Sequence, residues 1–153
     1  MEALKTAFET MDFSGLIPDL GTVLGWVELL LRICVMLGPI LILGFGLLFL
    51  LAPPKEANYG LGFRCWWGMA SLAAWQFTQR LAGMVWSALG AVMTIVMALL
   101  CMVLENADPM EMAVQAGIYI LWELGFIVLS VICINVVVIC MFDKDGYRRG
   151  QQE

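Results

Sequence analysis

Three stretches of this chain carry no charged residue and are each long enough to cross a bilayer: Ile33 to Ala52, Leu81 to Leu104 and Leu124 to Phe142. A hydrocarbon core is about 30 Å thick, so a spanning helix needs ~20 mostly apolar residues. None of the three alternates with the period of a barrel strand, and inside lipid a helix satisfies its own backbone N–H and C=O groups. Apolar flanks widen the outer two runs. One extends back to Leu20, and the other runs back through Trp122 to Met112, interrupted by Glu123. The composition agrees: of 153 residues, 62% are hydrophobic and 14% charged, with mean hydropathy +0.91. That is too little charge to cover a soluble domain of this size. The expected fold is all-α, an integral membrane three-helix protein with a short amphipathic N-terminal helix. A single membrane domain would occupy 1–153, with an amphipathic segment at 1–17 and spans at about 22–52, 69–104 and 112–142. Residues 53–68 form the connector and 143–153 the tail.

The first span reads as a retained helix. It lacks a basic leader and a small-x-small cleavage site, and an acidic stretch precedes it. Pro39 lies within it, tolerated through a kink or through neighbouring packing, and Pro53-Pro54 ends it. Ahead of it, Leu4, Ala7, Phe8 and Met11 recur at helical spacing while Glu2, Lys5, Glu9 and Asp12 face elsewhere. That pattern fits a short helix lying at the outer interface or a frayed terminus.

Lysine and arginine set the orientation. The connector side carries Lys55, Arg64 and Arg80, and the tail carries Lys144, Arg148 and Arg149. The opposite side has only Lys5 and Arg32. The expectation is a multi-pass protein with its amino terminus outside and its connector and carboxyl terminus cytoplasmic.

The formal charge of −5 and a pI near 4.6 exclude a nucleic-acid partner, which requires a basic face. Histidine is absent, and with it the commonest general base and metal ligand. With no phosphate loop and no metal-ligand cluster either, neither an enzyme nor a cofactor is expected. Cys34, Cys101, Cys133 and Cys140 lie in apolar runs and read as packing residues. Cys65 lies in a loop, as a reduced cysteine or a reactive thiol.

The least ordinary stretch is Pro53-Pro54-Lys55-Glu56-Ala57-Asn58-Tyr59-Gly60-Leu61-Gly62-Phe63-Arg64. Asn58, Gly60 and Gly62 suit tight or left-handed turns. From about Met69 the chain reads as helix to Val103, roughly 50 Å long, which must project from the membrane, tilt, or break near Arg80 to Gly83. Trp66, Trp67, Trp75 and Arg80 then fall in the interfacial zone. The order Pro-Pro-Lys, Asn58-Tyr59, Gly62-Phe63-Arg64, Met69, Trp75, Gln79, Gly83 and Trp86 resembles the signature of the SdpI family, and Pro39 and Gly44 also fit it. These are small bacterial membrane proteins named for an immunity protein against a secreted peptide toxin. The chain departs from the family pattern at Phe63 for tyrosine, Cys65 for threonine and Gly68 for serine. The resemblance implies a bacterial plasma-membrane protein that gives immunity to, or senses, a membrane-active antimicrobial peptide. Its partners would be membrane lipids, a peptide toxin and a cytoplasmic repressor.

Among individual residues, Arg64 can grip a lipid phosphate or carboxylate, or anchor the helix start; with Asn58 it is expected to hold the connector against the second span. Glu28 and Arg32 are spaced to pair on one helix face. Glu123 interrupts the third span within reach of Arg32, as a proton-coupling group, a neutralising partner or a snorkelling carboxylate. Asn135 is expected to form an interhelical hydrogen bond. Gly83, Ser87, Gly90, Ala91, Thr94 and Ala98 form a small-residue seam, joining helices within one chain or in a homo-oligomer. The alternative function is a small oligomeric transporter or lipid-handling protein with Glu123, Arg32 and Asn135 along a polar path.

Overall fold

The computed structural model describes residues 20–55, 60–103 and 108–150. Three helices run up, down and up: α1 (Leu20–Leu51), α2 (Leu72–Val103) and α3 (Pro109–Met141), with a short 3-10 turn, Trp67–Met69, ahead of α2. Each is long and apolar enough to cross a membrane. The short amphipathic helix expected over 1–17 lies outside the described residues; the first helix described is long and apolar instead. Helix α1 runs without interruption through Pro39, which is fully buried. Pro53-Pro54 then stops it, because the residue before a proline is pushed out of the helical region. Helix α2 is continuous from Leu72 to Val103, so the long segment does not break near Arg80 to Gly83. Helix α3 opens three residues before its expected start, at Pro109, whose fixed φ suits the first helical position.

The small-residue seam packs within the chain. A Cβ built on Gly83 would lie 2.8 Å from the Leu50 backbone nitrogen, and one on Gly90 would lie 2.6 Å from the Leu43 Cα. From the other side, a Cβ on Gly46 of α1 would lie 2.6 Å from the Trp86 carbonyl carbon. Backbone meets backbone along this line, as small residues allow where no hydrophobic effect drives helices together. Helix α3 completes the bundle and leaves two buried clusters. One, at the connector end, gathers Phe49, Phe63, Ala82, Ile134, Val138 and Phe142. The other gathers Val35, Met97, Cys101 and Ala116. The outward faces are apolar too, with Leu30, Ile33, Ile95, Leu99, Leu121 and Val128 about half exposed or more. Such continuous apolar surface is stable against lipid and a liability in water.

Polar side chains inside the spans mostly bond back to their own helix. Thr78 Oγ1 donates to Ala74 O at 2.8 Å and Thr94 Oγ1 to Gly90 O at 2.7 Å. Asn135 does likewise: its amide donates to Val131 O at 2.8 Å, within α3, and not across helices as expected. In lipid the carbonyl one turn back is an acceptor always within reach.

Candidate functional site

The connector and the tail meet at one end of the bundle, around the start of α2. Ser71 precedes α2 and caps it: its Oγ accepts from the Ala74 N–H at 3.1 Å, satisfying one of the donors a helix start leaves free. The same hydroxyl donates to Gly146 O of the tail at 2.7 Å. The tail reaches Ser71 by turning back on itself. Asp143 Oδ1 accepts from the backbone N–H groups of Asp145 and Tyr147 at 3.1 and 2.8 Å, and Phe142 bridges to Arg148. Phe142 also packs against Phe77 of α2, ring centroids 5.4 Å apart.

The connector is held more firmly. Gln79, fully buried in α2, takes the Phe63 N–H on its Oε1 at 2.9 Å and donates its Nε2 to Phe63 O at 2.8 Å. One side-chain amide thus pairs both backbone groups of a buried loop residue, as a neighbouring strand would. Trp75, fully buried one turn earlier, donates its indole N–H to Pro54 O at 2.9 Å. Gly62 lies between the two anchors with φ +130, a left-handed conformation that L side chains rarely adopt. A Cβ there would also fall 2.7 Å from the Trp75 ring. The Phe63 side chain meets Trp86 edge-on at 5.4 Å, and the Trp86 indole N–H reaches Ser130 Oγ of α3 at 3.2 Å. Pro54, Phe63 and Ser130 are thereby tied to one face of α2.

A family model described as the SdpI/YfhL protein family matches residues 55–142, more than half of the chain. The chain belongs to the SdpI/YfhL protein family. No curated protein and no solved structure matches it. Phe63, Cys65 and Gly68, where the chain departs from the SdpI pattern, lie in or beside this lock. Gln79 holds Phe63 by its backbone, so the clamp does not call on a hydroxyl on that ring. Cys65 and Gly68 touch: Cys65 Sγ accepts from the Gly68 N–H at 3.3 Å, and a Cβ on Gly68 would lie 2.6 Å from that sulfur and from Thr78 Oγ1. The thiol fills the space a side chain at 68 would need.

Of the residues singled out in the sequence, Gly62, Phe63, Trp75, Gln79, Gly83 and Trp86 come together in or beside the lock. Met69 closes the 3-10 turn beside it. Arg64 is exposed, between buried Phe63 and Cys65. Asn58 and Tyr59, and with them the expected Asn58–Arg64 cluster, lie outside the described residues. Ser71, Thr78, Ser130 and Gly146 belong to the assembly but give no signal in the sequence beyond being small or polar. Far from the lock, Arg32 pairs with Glu28 on α1 as the spacing of four predicts. Glu123 is buried near the middle of α3. Cys101 is buried, while Cys34, Cys133 and Cys140 sit on outward helix faces.

Burial pushes the Cys65 thiol above its ordinary range, against the lowering effect of its hydrogen bonds with the Gly68 N–H and Thr78. Because the thiolate is the reactive form, Cys65 will react slowly near neutral pH and faster only well into the alkaline range. A water-soluble maleimide should label Cys65 in SDS far faster than in mild detergent. Equal rates in the two would mean the thiol is not buried.

Proposed function

We propose that this SdpI/YfhL family membrane protein gives immunity to, or senses, a membrane-active antimicrobial peptide in a bacterial plasma membrane. In this reading the connector and tail face the cytoplasm and the amino terminus faces outward. Family membership supports the class of function. The observation that carries the reading is the surface built on the lock: a groove of about 740 Å³ between connector and tail, lined by Trp66, Met69, Ala70, Lys144, Asp145 and Tyr147. Trp66 is 81% exposed and Tyr147 65% exposed, on a base braced by Gln79, Trp75 and Ser71. Aromatic rings beside a lysine suit the membrane boundary and can receive an amphipathic peptide or a cytoplasmic repressor. Lys55, Arg80, Lys144, Arg148 and Arg149 all belong to this end, which supports the cytoplasmic assignment.

Expression in a bacterium sensitive to membrane-active peptides tests the reading. Cells carrying the chain should survive peptide concentrations that kill the parent strain, and Trp66→Ala should remove most of that protection while leaving protein abundance unchanged. Cells that die as readily as the parent strain across a broad peptide panel would sink it. The transporter or lipid-handling alternative draws on a different observation, the buried Glu123 carboxyl, and predicts that Glu123→Gln abolishes activity in a folded protein.

A further inference from the structure

Among the described residues, Glu123 is a buried carboxyl that the lock does not use. Glu123 is 3% exposed, and its Oε1 has no hydrogen-bond partner among the described residues. The carboxyl is aimed at α1. A Cβ built on Gly38 would lie 2.5 Å from Glu123 Oε2 and 3.5 Å from its carboxyl carbon, so glycine at 38 forms the notch that admits it. Pro39 follows, fully buried and without an N–H, so the carbonyl of buried Val35 one turn earlier loses its helical donor. The carboxyl therefore sits beside a turn whose hydrogen bonding is already interrupted.

Among the described residues, the charged and titratable groups near this point are few. On α1 they are Arg32 and Glu28, paired with each other toward the start of the helix. On α2 it is the buried Cys101 thiol, within Coulombic range of both Arg32 and Glu123. On α3 it is Tyr119, one turn before Glu123 and part of the Val35–Met97–Cys101–Ala116 cluster. Arg32 Nε is also buried and unpartnered among the described residues. Arg32 and Glu123, side chains that ionise with opposite sign, thus each carry one buried polar atom without a partner among the described residues. A bare carboxylate at this depth is far more costly than a neutral carboxyl. At Gly38 even a methyl group has no room beside Glu123 Oε2.

We propose that Glu123 is a proton-binding site within the membrane, neutral in the Gly38 notch, with Arg32 as the cation that pairs with it once the proton leaves. On release the O–H electron pair stays on the carboxylate and the proton passes to water; Arg32 exchanges Glu28 for Glu123. Glu28 is then a competitor that holds Arg32 away while Glu123 is protonated. This site stands independently of the peptide-protection reading.

Infrared spectroscopy of the full chain in lipid vesicles tests the proposal, because it reads a neutral carboxyl directly and requires no reagent to reach it. The expected result is a neutral-carboxyl band that fades as pH is raised and is absent from Glu123→Gln. If that variant does not fold, the band is assigned by its displacement in Glu123→Asp. Arg32→Gln should keep the band to higher pH, and Glu28→Gln should lose it at lower pH, each by about one pH unit or more. A merely structural Glu123 would give a band that neither variant moves. No assignable band at any pH, or a band indifferent to pH, would overturn the proton site; an unmoved band in Arg32→Gln would overturn the role of Arg32.

Discussion

Replacing Gln79 with leucine will release the connector from α2. The substitution keeps the volume and removes both hydrogen bonds to Phe63, leaving a buried N–H and a buried C=O without partners. Each such group costs about 1–3 kcal/mol, so the pair costs roughly 2–6 kcal/mol, a large share of the stability of a bundle this small. Thermal unfolding in mild detergent should fall sharply, and added protease should cut the connector where it spares the parent protein. Gln79→Glu separates the terms. It retains an acceptor for the Phe63 N–H but loses the donor to Phe63 O and buries a charge, so it should destabilise at least as strongly. A Gln79→Leu protein as stable and as protease-resistant as its parent would show that the clamp is incidental.

The second large effect is expected from Gly46→Leu. A Cβ at this position meets the Trp86–Ser87 backbone, which cannot rotate aside as a side chain can. Overpacking a core ordinarily costs about 1–3 kcal/mol because neighbours adjust; here α1 and α2 must separate, and the effect should reach or exceed the top of that range. Gly44 supplies the control, since a Cβ there meets nothing within 4 Å. Thermal unfolding in mild detergent should fall sharply in Gly46→Leu and stay near that of the parent in Gly44→Leu. Equal stability of the two variants would refute the backbone contact.

These two contacts mark what the sequence did and did not disclose. The three helices follow from the length of their uncharged runs, since lipid leaves the backbone few options. Gly83, Ser87 and Gly90 recur at helical spacing and so announce a seam, but only the structure says that its partner is α1 of the same chain. The Glu28–Arg32 pair is local and follows from a spacing of four, whereas the Gln79–Phe63 clamp joins residues sixteen apart through backbone atoms, which carry no sequence signal. Asn135 was misread for a related reason: a polar residue in a span announces a hydrogen bond but not its direction, and the nearest carbonyl took it. Glu123 was legible as an oddity; the notch at Gly38 that receives it was not.

The hydrogen bond from Ser71 to Gly146 has a bearing on the order of assembly. The stretch that fastens the beginning of the second helix follows the third helix in the chain. During biosynthesis the loop between the first two helices must therefore wait, part-finished, until residue 146 has emerged. Closure of that end follows synthesis of all three helices, and nascent chains halted before residue 146 will present it open.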